Sequence, residues 1–141
     1  MLRRTLLASA LSLAALPAFA AGTLCPESVD VKQSGAAPAP GWAVTYATTP
    51  NRLEMVTFYD GPLKDEASLV YDDLAKGKDS SIATWRFPQN PRGYWVKCSY
   101  GGTTLELSKA LPATLASCRV TYARDASSSQ GMPAIRQIVC Q

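Results

Sequence analysis

The chain has 141 residues, with 14 Lys and Arg against 11 Asp and Glu, four cysteines and no histidine. At 47% hydrophobic and 18% charged residues it can bury a core, which excludes global disorder and a fibrous repeat. Without histidine there is no Ser-His or Cys-His nucleophile and no imidazole metal ligand, and no side chain titrates near neutrality in its unperturbed state.

The first twenty residues read as an export signal. Met1-Leu2-Arg3-Arg4 is a positive start, Thr5 to Leu16 is almost unbroken apolar sequence, and Ala18-Phe19-Ala20 is an A-x-A cleavage signature. The apolar run is too short for the roughly 20 residues that span a bilayer. Lipid attachment at Cys25 is disfavoured because Leu24, rather than a small residue, precedes it. Cleavage leaves one soluble domain, residues 21–141, expected to be periplasmic or secreted. Loss of Arg3 and Arg4 leaves 12 positive against 11 negative side chains, a net charge of +1. So balanced a chain has little of the phosphate-neutralising charge that nucleic-acid binding needs, so neither nucleic acid nor a membrane is expected as a partner.

From the mature start, Cys25 is the first of four cysteines delivered to an oxidising compartment, where two disulfides persist. The spacings to Cys98, Cys118 and Cys140 resemble neither a zinc knuckle nor a CxxC redox pair. Four cysteines allow three pairings. A hairpin of 118–123 with 135–140 sets Cys118 opposite Cys140 and leaves Cys25 to Cys98. The competing pattern, Cys98–Cys118 with Cys25–Cys140, would staple the termini.

The rest reads as short β segments between turns. Val29 and Val31 alternate with polar residues, and Trp42, Val44 and Tyr46 repeat that period after the Gly35–Gly41 connector. Residues 52–59 form the next strand, stopped by Asp60-Gly61-Pro62. Leu63, Ala67, Val70, Tyr71 and Leu74 fit a helical stripe capped by Gly77, although residues 68–71 also suit a short edge strand; the helix is favoured. Residues 82–87 follow, ending at Pro88 and the Asn90-Pro91-Arg92-Gly93 turn. Tyr94–Tyr100, Gly101-Gly102 and Thr103–Ser108 read as a two-residue hairpin, because paired glycines supply positive φ. Strands 118–123 and 135–140 complete the set, joined by an Arg124–Pro133 loop. The pattern predicts a mainly β fold, a small antiparallel sandwich or barrel with one short helix and two disulfides.

Few constellations carry chemistry. Asp72-Asp73 with Asp65 and Glu66 lacks an ordered calcium-loop spacing and has Lys64, Lys76 and Lys78 beside it, so it reads as a solvated face. Lys109 with Ser127-Ser128-Ser129 invites a Ser-Lys hydrolase, but a serine run beside Gln130-Gly131 reads better as a loop. Trp42, Trp85 and Trp95 lie in strand-like segments and are expected in the core, against the alternative of a stacking surface. No catalytic residue, cofactor or metal is expected. The candidate binding residues are Arg124, Gln130 and Met132, a charge, an amide and an adaptable apolar tip on a loop expected to be exposed.

Cys25-Pro26, Phe58-Tyr59-Asp60-Gly61-Pro62, Cys98-Ser99-Tyr100, Leu111-Pro112, Cys118-Arg119-Val120 and the terminal Cys140 resemble a family of small exported bacterial proteins with four cysteines and no established function. The resemblance implies a shared fold and a periplasmic location, and transfers no catalytic residue. A weaker architectural likeness is to periplasmic lysozyme inhibitors, whose Ser-Gly-x-x-Tyr-type loop is absent here. Together these readings favour a non-enzymatic periplasmic binding protein, an inhibitor or immunity-type protein acting on an envelope-targeting enzyme. A glycan- or peptide-binding envelope module is the alternative, and a small hydrolase comes third.

Overall fold

The computed structural model describes residues 23–35, 39–46, 50–127 and 131–141; the export signal of residues 1–20 lies outside them. The strands are β1 (Ser28–Val29), β2 (Asn51–Asp60), β3 (Asp73–Lys76), β4 (Ser80–Arg86), β5 (Tyr94–Tyr100), β6 (Glu106–Ala110), β7 (Ser117–Ser127) and β8 (Pro133–Cys140). They form two four-stranded antiparallel sheets, ordered β1-β2-β5-β6 and β3-β4-β7-β8. The expected mainly β antiparallel fold is therefore found, as two sheets forming a sandwich or half-barrel.

Alternation explains the core. In β5 the buried residues are Val96, Cys98 and Tyr100, and in β4 they are Ala83 and Trp85, the period of two that a pleated strand imposes. Phe58, Val96, Val120 and Cys118 are fully buried where the two inner faces meet. Phe58 packs at 5.0 Å from Trp85 and 5.3 Å from Phe87, both tilted, an arrangement that suits aromatic quadrupoles.

One side of the sandwich is laced shut by the segment between β2 and β3. Its first part bonds to β2, with Asp60 donating to the Ala67 carbonyl at 2.9 Å and Leu69 donating to that of Phe58 at 2.7 Å. Its last part, beginning with the Asp72 amide on the Thr84 carbonyl, pairs with β4. This replaces the helix expected over residues 63–76. Only Leu63–Asp65 turns, as a single 3₁₀ turn, because backbone groups beyond it find better partners on two flanking strands than within a helix. Gly77 is not a helix cap; it belongs to the β3–β4 turn.

The hairpin of β7 and β8 has the expected register. Cys118 stands opposite Cys140, and the pairing slips only beyond Thr121. Ser117 and Gln141 exchange both backbone hydrogen bonds at 2.9 Å, so Cys118 and Cys140 form the closer, non-hydrogen-bonded kind of pair, with Cα atoms 4.1 Å apart. Cys118–Cys140 and Cys25–Cys98 are the two disulfides. β7, however, runs through Ser127 and β8 starts at Pro133, so the loop is shorter than Arg124–Pro133.

Two strand readings need correction. Trp42, Val44 and Tyr46 form no strand and stay 72%, 40% and 44% exposed, which also removes Trp42 from the expected core. Alternation makes a strand only where a neighbouring edge accepts its hydrogen bonds, and this segment has none among the described residues. Gly101-Gly102 is not a two-residue turn either. Cys98 pairs with Leu107 and Ser99 with Glu106, leaving Tyr100–Leu105 as the connection. Gly101 donates instead to the Arg52 carbonyl at 2.9 Å, extending the pairing with β2, and only Gly102 adopts positive φ.

Candidate functional site

The start of β2, the end of β5 and β8 surround a cleft of about 860 Å³. One wall is the segment leading into β1. It is tied down by the Cys25–Cys98 disulfide, by the Tyr100 hydroxyl donating to the Pro26 carbonyl at 3.1 Å, and by Leu53 donating to the Glu27 carbonyl at 2.9 Å. β8 forms the opposite wall through Ala134–Ile138. Half-buried Leu24, Leu53, Ile135 and Ile138 make the floor aliphatic.

A bulge shapes the floor. The β2–β5 register shifts between Leu53 and Met55, so Glu54 is inserted as an extra residue. Its carboxyl end is packed over Gly101, where a Cβ would collide with it. Glu54 is the buried acid among the described residues, 8% exposed. Asn51 closes the same corner by donating from Nδ2 to the Gly101 carbonyl at 2.6 Å, and Gln33 donates to that of Gly102 at 2.9 Å. The rim is charged but balanced. Arg52 faces Glu27 at 3.7 Å and Arg136 pairs with Asp125 at 2.6 Å, both largely exposed pairs of small energetic weight.

The cleft thus combines an aliphatic floor with a polar rim. Among the described residues no group of three or more His, Cys, Asp or Glu could hold a metal ion. Lys109 and Ser127, offered as a Ser-Lys pair, lie on β6 and β7 in different sheets. Of the acidic cluster, Asp65 binds Arg92 at 2.7 Å, and the Asp72 carboxylate accepts from the Arg86 amide at 2.6 Å. Both interactions are structural.

Of the three expected binding residues, Arg124 and Met132 are among the described residues. Arg124 lies in β7 rather than on a loop, and its guanidinium donates to the Gly77 carbonyl at 2.9 Å, fastening β7 to the β3–β4 turn. Met132 is 38% exposed just before β8. Gln130 lies outside the described residues. Ser127 and Ala134 both line the cleft, so this hairpin end reaches its mouth. The residues missed from sequence are Asn51, Arg52, Glu54 and Gly101. A strand beginning near 52 was legible, but no periodic signal reveals a bulge or the cleft it opens.

A second polar cluster sits on the outer face of the first sheet. Lys97 lies 3.2 Å from Glu106 and 5.7 Å from the Tyr59 ring centre, and Glu106 accepts from the Ser99 hydroxyl at 3.0 Å. The Tyr59 hydroxyl, and to a smaller extent Glu106, hold the Lys97 amine above its ordinary pKa despite opposing desolvation. Burial alone raises the Tyr100 and Tyr122 hydroxyls.

Among the described residues no helix is long and apolar enough to cross a membrane. The chain is 32% identical over 117 residues, 78% of its length and 77% of the relative's, to an uncharacterized 16.3 kDa protein in the trpG 5' region of Azospirillum brasilense. No solved structure matches it significantly. Residues 48–141, the stretch that contains every strand from β2 to β8, match the family described as type VI secretion system Tli immunity protein. The chain belongs to the family of type VI secretion system Tli immunity proteins.

Proposed function

We propose that this chain is an exported, non-enzymatic immunity protein that binds an envelope-attacking type VI effector enzyme and neutralises it in the periplasm. The observation that carries the reading is the family match across the whole β2–β8 framework. The export signature of residues 1–20 and the two disulfides support the compartment. The docking surface is the cleft between β2 and β8, extended by Met132 at the hairpin end. Its walls are preorganised by a disulfide and backbone bonds, so little ordering entropy is lost when a partner enters.

The test is co-production in the bacterial periplasm with each type VI effector of the same genome. The expected result is survival and a stoichiometric complex on size-exclusion chromatography with one effector. Export without protection against any of them would sink the reading. A glycan- or peptide-binding module is a second reading, favoured by the exposure of Trp42 and Tyr46. Trp42→Ala abolishing glycan or peptide retention while protection is absent would select it.

A further inference from the structure

We infer that the β6 edge accepts an extended segment of the effector as an added antiparallel strand, selected by an acidic side chain opposite Lys109. The proposal rests on the immunity reading for the identity of its partner. β6 ends its sheet, and all five of its residues, Glu106–Ala110, are exposed. Its neighbours in the register tell which way each one points. Lys109 pairs with Val96 and Leu107 with Cys98, both buried, so Lys109 and Leu107 lie on the inner face of the sheet. The second sheet does not cover them. Leu107 remains 36% exposed, and Leu105, just before the strand, 37%.

The backbone is equally open. Leu111 donates to the Tyr94 carbonyl at 2.8 Å, and this pair continues the β5–β6 register. Alternation then turns the N–H and C=O groups of Leu107 and Lys109 towards β5 and those of Glu106, Ser108 and Ala110 outward. Three consecutive outward residues with no proline or bulge make a ready template for a further strand. The other edges are less suitable. β8 begins with Pro133 and pairs irregularly, β3 has only four residues and β1 only two.

Charge decides the occupant. Glu106 is engaged by Lys97 and Ser99, whereas Lys109 has no ion-pair partner among the described residues. An inward-facing lysine on an edge opposes a second copy of this chain, because antiparallel self-pairing sets Lys109 against Leu105, Leu107 or the Lys109 of the other copy. It admits a strand with a carboxylate opposite Lys109 and apolar side chains opposite Leu107 and Leu105. The Gly101-Gly102 segment lines the cleft and leads into β6, so a partner seated in the cleft can continue along this edge.

Two measurements test the proposal on the disulfide-bonded mature protein. In the first, acetylated and amidated Thr-Glu-Thr-Val-Thr-Val-Thr is titrated against the ¹⁵N-labelled chain, beside a peptide with Lys replacing Glu. Saturable amide shifts confined to β6 and its flanks, at least fivefold weaker for the Lys peptide and reversed in preference by Lys109→Glu, are expected. Equal affinities, shifts elsewhere or no binding would overturn strand acceptance. In the second, Ser108→Pro removes an outward-facing donor without touching the β5 ladder. It should keep the native spectrum but lose at least tenfold in affinity for the effector against which the wild-type chain protects. Full affinity in a folded Ser108→Pro protein would overturn the docking role while leaving the immunity reading intact. Should wild type protect against no effector, the immunity reading fails, and the inference that β6 receives an effector falls with it, whatever the peptide result.

Discussion

The two ends of β2 are built in opposite ways. At the Asp60 end, Gly61 donates to the Gly93 carbonyl at 2.9 Å, Asn90 donates to the Asp60 carboxylate at 2.6 Å, and Arg92 binds both the Asp60 carbonyl and Asp65. Behind this network Phe58, Trp85, Phe87 and Tyr94 fill the interior with rings. At the Asn51 end the floor is aliphatic and half-buried, a bulge displaces the strand, and the sheets part into the cleft. Where side chains fill the space between sheets the end is closed. Where they do not, the space between the sheets stays open as the cleft.

The largest expected effect comes from the clamp on the open end. Removing the Cys25–Cys98 disulfide as a double alanine variant should cost about 4.5 kcal/mol, against about 3.4 kcal/mol for Cys118–Cys140, because the chain-entropy contribution grows with the loop closed. Chemical denaturation of both variants checks this. If the shorter loop costs more, the native contacts of the hairpin outweigh chain entropy, and the clamp is not the dominant restraint.

Truncating the floors of the two ends sharpens the contrast. Phe58→Ala should destabilise by about 3–5 kcal/mol, since it leaves a cavity amid close-packed rings, whereas half-exposed Leu53 should cost only about 1–2 kcal/mol on the same change. Urea midpoints at matched m-values distinguish them. Equal losses would mean that the cleft floor is as tightly packed as the core.

Gly101→Ala addresses the bulge directly. The added methyl must displace the Glu54 carboxyl end, at about 1–3 kcal/mol for overpacking, and effector binding should weaken with it. A variant of unchanged stability and affinity would show that the Glu54–Gly101 packing is dispensable. At the closed end, Arg92→Ala should cost no more than about 1 kcal/mol, because its ion pair is half-exposed, and should leave effector affinity untouched. A loss of affinity there would show that the closed end communicates with the cleft.

The smallest effect is alkaline. Tyr100 and Tyr122, from an ordinary value of 10.0, and Lys97, from 10.5, are all raised in the folded state. Each therefore holds its proton more tightly folded than unfolded. Their contribution is fully present below about pH 10 and declines as pH rises through the folded values. Melting temperature should fall above pH 10, and Tyr122→Phe should remove part of that fall. A flat profile from pH 9 to pH 11 would contradict the shifts.

Read by itself, the sequence determined what depends on local chemistry and parity. Alternating burial in β4 and β5, the turn at Asn90–Gly93 and the facing of Cys118 to Cys140 follow from a period of two and from residues that tolerate turn geometry. Tertiary structure decided everything that depends on which neighbour is present. The alternation of Trp42, Val44 and Tyr46 is as good as that of β5 but finds no strand to pair with among the described residues. The helical stripe over residues 63–76 yields to two sheets that take its backbone bonds, and Gly101 serves the space over Glu54 rather than the turn its dipeptide suggests. Hydrogen-bond partners and close approaches between residues some fifty positions apart have no local signal, and the cleft is made of just such approaches.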